Sequence, residues 1–198
     1  HDYLILKANI IDDMGKSEEA LRLYDSVLKL FPVSQTARSQ KVTTLVRLKR
    51  YDEAEALARE CVVMNFLNPL YHYKLGVVAY SQGKIVPTLM AMLMAQVVNP
   101  SNNNVNRVVT YLSSICNAKD ETLEAQQKRT GDYPDNFSRV EQIIFSKVAM
   151  DKGYKVKFNL DDNIFKQINV MLEKLEFDET SDDPYMQLYV PYFKQVFA

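Results

Sequence analysis

Apolar residues recur along this chain at three- and four-residue intervals, in segments separated by short polar, glycine- or proline-bearing breaks, the pattern of consecutive amphipathic helices. Leu4, Ala8 and Ile11 give a first helix over 3–14, and Ser17 offers a side-chain oxygen to cap a second that starts at Glu18. There Ala20, Leu21, Leu23, Tyr24, Val27, Leu28 and Leu30 cover more than one stripe, as expected of a helix packed on two sides, and Pro32 stops it. Val42, Leu45 and Leu48 form the inner face of a third helix, and Tyr51-Asp52-Glu53-Ala54 opens a fourth with acids where the helix dipole favours them. Asn68-Pro69 breaks the chain before a helix from Leu70 to Gln82. Pro87 is tolerable only in the first turn of the next helix, Thr88 to Val98. After the polar loop 99–104, Val105, Val108, Val109, Leu112 and Ile115 make another amphipathic helix.

Further along, 117–131 is nearly all polar and predicts a solvated helix ended by Gly131. Phe137, Val140, Ile144 and Val148 define one amphipathic helix, and Ile164, Ile168, Met171, Leu172 and Leu175 another. The tail from Pro184 carries Tyr185, Tyr189, Tyr192, Phe193 and Phe197 near one face, with Pro191 kinking or restarting its helix. Tyr154, Val156 and Phe158 alternate with polar residues at strand period. One strand makes no sheet, so the segment is expected as an extended connector, with strand pairing in a dimer as the alternative.

Landmarks return every 34 residues: Ala20, Ala54 and Thr88; Val27, Cys61 and Ala95; Pro32 and, two periods on, Pro100. Gly15 and Gly83 fall at the turn between paired helices, and Gly76 takes the place of Ala8. A fixed period of this length marks a repeat architecture. With Leu75-Gly76 opening its helix in the expected pattern, the chain resembles the tetratricopeptide repeat family over three repeats, about 1–34, 35–68 and 69–102, and the first helix of a fourth, 103–116. It departs from the family in having no Trp, in Lys7-Ala8 and Lys41-Val42 at the Leu-Gly place, and in Phe66 where a proline is expected. The resemblance implies an all-α fold, an α-α superhelix of stacked helix-turn-helix repeats over 1–116. Residues 117–198 follow as a helical C-terminal extension that caps it, with the loop Asp132-Tyr133-Pro134-Asp135 as a candidate boundary.

Composition narrows the function. At 198 residues and 47% apolar content the chain is long enough to bury a core, and a net charge of −1 argues against nucleic acid, which needs a basic face. Its longest apolar run, Leu89 to Val98, is interrupted by Gln96 and falls short of the roughly 20 residues that cross a bilayer. Cys61 and Cys116 read as buried free thiols, a disulfide being the alternative, and Met64, Met90, Met92 and Met94 as core filling, an adaptable surface being the alternative. The chain starts at His1 without a methionine, which leaves the compartment open: cytoplasmic, or exported if an N-terminal signal was removed.

Candidate chemistry is sparse. Of the two histidines, His1 is terminal and His72 takes the place of a large packed aromatic, which leaves no imidazole for a triad. The acidic run Asp178 to Asp183 lacks the Gly a calcium loop needs where Asp183 stands and the acid it needs where Tyr189 stands, and Asp161-Asp162 and Glu18-Glu19 fit helix starts. No metal, cofactor or catalytic set is expected, and no enzyme.

What remains is a surface. In proteins that look like this one, the first helix of each repeat lines a concave groove for an extended peptide or a partner's helix. That mapping selects Asn9, Asp12 and Asp13; Ser39, Thr43 and Arg47; Tyr73, Val77 and Tyr80; and Arg107 and Tyr111. Tyrosine combines apolar contact with a hydroxyl hydrogen bond at low entropic cost. A subset of the family clamps acidic chaperone tails. Asn9 and Lys74 fit that clamp, but Ile5, Gln40 and Leu70 stand where a lysine, an asparagine and a second lysine are needed. The expected function is a non-enzymatic adaptor or scaffold with a protein or peptide partner. Alternatives are a structural protein that dimerises through its aromatic C-terminal helix, and a small-ligand site between array and extension where His72 and Tyr73 meet C-terminal polar groups. The tyrosines have a plainer alternative too, packing against the C-terminal helices.

Overall fold

The computed structural model describes residues 2–129, 131–151, 154 and 162–196. Among these the chain is entirely helical: α1 (Asp2–Asp13), α2 (Ser17–Leu30), α3 (Gln35–Arg47), α4 (Tyr51–Met64), α5 (Pro69–Ser81), α6 (Ile85–Val98), α7 (Val105–Cys116), α8 (Asp120–Gln127), α9 (Asp135–Ser146), α10 (Asn163–Lys174) and α11 (Pro184–Val196), with a short 3-10 turn at Val148–Met150. The extended segment expected around Val156 and Phe158, and Phe197 of the aromatic tail, lie outside the described residues.

The helices pack in sequential neighbouring pairs, each on the one before and the one after from α1 to α7, while α1 also meets α3 and α3 meets α5. The 34-residue period is exact in the boundaries: α2, α4 and α6 begin at Ser17, Tyr51 and Ile85 and end at Leu30, Met64 and Val98. Ala20, Ala54 and Thr88 are all fully buried, each at the fourth residue of its helix.

Local backbone chemistry explains the period. Each helix pair turns through one residue in the left-handed region, Gly15 (φ 81°), Lys49 (φ 58°) and Gly83 (φ 73°). At each turn two backbone bonds close a Schellman motif: Gly15 N–H to Asp12 O and Lys16 N–H to Ile11 O, then Lys49 to Val46 and Arg50 to Leu45, then Gly83 to Tyr80 and Lys84 to Ala79. These bonds satisfy the orphan carbonyls at each first helix's end. The same motif returns a fourth time, with Ala118 at φ 48° donating to Ile115 O and Lys119 to Ser114 O. That turn is one residue out of step, and α8 beyond it runs for only eight residues, shorter than the solvated helix expected over 117–131. At the other junctions Ser34, Asn68 and Asn102, again 34 apart, accept with their side chains from the backbone of Ala37, Leu70 and Asn104. The expected Ser17 cap does not form: Ser17 is the first residue of α2, and its hydroxyl donates to Asp12 Oδ1 at 2.5 Å instead.

The core is continuous from Ile5 to Phe193. Its centre is α6, apolar on every side and buried from Ile85 through Met92 because α5 covers one flank, α7 a second, and α9 and α11 the rest. Met90, Met92 and Met94 are fully buried gap-fillers, while Met64 is exposed at the end of α4. Gly76 lets α6 come close, since a Cβ there would sit 2.8 Å from Met92 Cε and 3.3 Å from Ala91 Cβ. Both cysteines are free and buried, and burial pushes their thiols up to about 11 (Cys61) and about 12 (Cys116). None of the described helices is long and apolar enough to cross a membrane.

Candidate functional site

The first helices α1, α3, α5 and α7 present the residues selected from sequence, and the structure sorts them by environment. At the α1 end Asp12 is buried: Ser17 and Thr44 donate to its two oxygens, and Arg47 pairs with it at 2.9 Å and also donates to its backbone carbonyl. Asp12 thus ties α1 to α2 and α3. Asn9 accepts from the Tyr24 hydroxyl at 2.6 Å. A small concavity of about 150 Å³ remains there, lined by Asn9, Asp13, Gln40, Thr43 and Arg47 among others.

Towards α7 the face changes character. Lys74, half-buried, donates to Thr43 Oγ1 at 2.6 Å. Burial first, and then the charge of the exposed Arg107 guanidinium, lower the Lys74 pKa. Among the described residues neither Lys74 nor Arg107 has a carboxylate within ion-pair distance. Tyr80 and Tyr111 meet edge to face with centroids 4.9 Å apart, and Val77 and Tyr111 are half-buried. Burial, with the neighbouring hydroxyls of Tyr73 and Tyr80, pushes the Tyr111 hydroxyl up to about 12. Tyr73 is buried, and so is Ser39. The face therefore gathers half-buried Lys74, Tyr80 and Tyr111 and exposed Arg107 into one positively charged patch.

His72 is not part of it. Its Nε2–H donates to Phe66 O at 2.6 Å and its Nδ1 accepts from the Tyr189 hydroxyl at 2.9 Å, which fixes the neutral tautomer. Burial lowers its pKa below the usual histidine range, and Phe66 stands edge-on to the ring at 4.9 Å. The aromatic stripe of α11 is spent in the same seam: Tyr185, Tyr189 and Phe193 are buried, and Tyr192 lies against Phe66.

A larger cleft, about 510 Å³, opens where α4 and the start of α6 meet the 131–134 and 181–184 loops. Beneath it Glu55 Oε2 accepts from Gln82 and Lys84, both at 2.9 Å, and Lys84 lies over the Tyr185 ring at 5.7 Å. Asp183 caps α11 by accepting from the Tyr185 and Met186 N–H groups. Nearby, buried Glu141 of α9 accepts from Gln126, Arg129 and Tyr133, whose hydroxyl also receives the Val86 N–H at the start of α6. These contacts fasten α8, α9 and α11 to α6, and sequence reasoning missed them. The readable signal was an acid on an apolar stripe: Glu141 is four residues after Phe137, and Glu55 follows Ala54 on the packed side of α4. Among the described residues no three His, Cys, Asp or Glu side chains cluster to hold a metal ion.

A scan against models of known protein families finds no match to the chain, and a search of curated proteins finds none either.

Proposed function

We infer that this chain is a non-enzymatic protein-interaction module of the tetratricopeptide class, an adaptor or scaffold that takes an extended peptide along the face of its first helices. The 34-residue recurrence of boundaries, Schellman turns and loop caps supports the class. The observation that carries the binding reading is the patch of Lys74 and Arg107 beside Tyr80 and Tyr111, two crowded cations with no carboxylate of the described chain to meet them. An acidic side chain or a terminal carboxylate of a peptide would relieve that repulsion and accept charge-assisted hydrogen bonds, while the tyrosines supply apolar area.

Selection of peptides from a displayed random library on the full chain tests this. The expected result is enrichment of acidic sequences, with Arg107→Ala weakening the selected peptide on the order of tenfold (about 1.4 kcal/mol) and Tyr80→Ala with Tyr111→Ala weakening it further while circular dichroism shows the helices intact. A selection that enriches nothing, or peptides that bind the triple variant as well as the wild type, would reject the groove.

A further inference from the structure

Four large apolar side chains stand on the outer face of α1: Tyr3 is 75% exposed, Leu6 58%, Ile10 52% and Met14 65%. One period on, their places are taken by Ala37, Gln40, Thr44 and Leu48, and two periods on by Tyr71, Lys74, Val78 and Gln82. There the same positions are covered: Ala37, Thr44, Tyr71, Val78 and Gln82 are buried and the other three half-buried. What covers them is the preceding pair, chiefly its second helix, α2 on α3 and α4 on α5, with the first helix touching Thr44 (from Asp12) and Lys74 (from Thr43). The outer face of α1 therefore continues an interface the molecule already builds twice. A repeat face that stays in water is polar, and this one carries its largest hydrophobics there.

Charge completes the pattern. Lys41 of α3 pairs with Asp25 of α2 at 2.5 Å across that interface. Its equivalent on α1 is Lys7, exposed and without a partner among the described residues. We propose that the outer face of α1 is a docking surface for one amphipathic helix of the α2 kind, presenting apolar residues at the places of Leu21 and Leu28 and an acid at the place of Asp25, opposite Lys7. A second copy of the chain fits less well: it would present α1 itself, whose face offers Lys7 where the acid is needed.

The test is titration of the full chain with a stapled, fluorescently labelled helical peptide of residues 17–30, read by anisotropy. Saturable binding is expected, lost with Leu6→Asp plus Ile10→Asp, weakened about tenfold by Lys7→Glu, and restored when Lys7→Glu meets a peptide carrying Asp25→Lys. Circular dichroism confirms that the variants fold, since all three positions are exposed. No saturable binding by the helical peptide, or binding indifferent to Lys7 and Ile10, overturns the proposal. Sedimentation is the second arm: self-association that Leu6→Asp abolishes would assign the face to a second copy and overturn the helix partner.

Discussion

α6 and α1 belong to the same kind of helix pair, and both carry large apolar residues on more than one face, yet their surroundings differ completely. α6 is enclosed by α5, α7, α9 and α11, and its residues from Ile85 through Met92 are buried. α1 meets α2 and α3 on one side, and on the other leaves Tyr3, Leu6, Ile10 and Met14 in water. The difference teaches that stacking, rather than the helix's own sequence, decides which apolar stripe becomes core. A repeat helix carries two packing faces, and at an end of the array one of them has no neighbour unless an added element supplies it. The C-terminal helices do so for α6, fastened by Lys84 over the Tyr185 ring, by Glu141 through Tyr133 and by the His72–Tyr189 seam.

The contrast is sharpened most by matched truncations. Leu89→Ala in α6 is expected to cost about 2–5 kcal/mol by urea unfolding, whereas Ile10→Ala on the outer face of α1 should stay within about 0.5 kcal/mol. Equal losses would break the comparison. Next come the turns. Gly83→Ala places a Cβ 2.3 Å from Ala125 O in a left-handed residue, because α8 closes over that turn; a loss of at least about 2 kcal/mol is expected. Gly15, at the same turn but with nothing within 4 Å of a Cβ, should lose only about 1 kcal/mol on Gly15→Ala, from backbone strain alone. A Gly15→Ala loss as large as that of Gly83→Ala would show that strain, not closure, sets the cost.

The seam at the enclosed end should also respond to pH. Burial lowers the pKa of His72, so the unfolded chain takes up a proton at higher pH than the folded one does. The stability this neutral imidazole contributes is present above the unfolded value of about 6.5 and is lost as pH falls below it, by at most about 1.4 kcal/mol per unit. Urea midpoints at pH 7.5 and 5.5 should therefore diverge more for the wild type than for His72→Phe. An identical pH dependence in the two proteins would remove the imidazole from the account. The smallest effect is a gain: Lys49→Gly relieves a left-handed lysine in the middle turn and should stabilise by about 0.5–1 kcal/mol in the same assay.

Much of the architecture was legible because the period is carried by residues whose packing admits few substitutes. Ala20, Ala54 and Thr88 are small where helices approach closely, and Gly15 and Gly83 mark turns that need the left-handed backbone. The middle turn was hidden, since Lys49 adopts the same conformation without the residue that advertises it, and the fourth turn at Ala118 was hidden twice, by its residue and by its one-step shift. Ser17 misled for a related reason: the Schellman bonds already fix where α2 begins, which frees its hydroxyl for Asp12. For the interaction face, projection onto a helix wheel placed Asp12 and Tyr73 beside Arg107 and Tyr111, but could not separate the seams between first helices from the surface they share. The fastening carboxylates Glu55 and Glu141 meet cations from other elements, and no local spacing encodes such pairs.

Native-state hydrogen exchange tests the central contrast most directly, because it reads the opening free energy of each helix in the intact chain. Amides of α6 should exchange only through global unfolding, and those of α1 through local opening at clearly lower free energy, with α3 and α5 between them. Protection of α1 equal to that of α6 would contradict the account, since it would mean that the exposed stripe of Tyr3, Leu6, Ile10 and Met14 is already covered in solution.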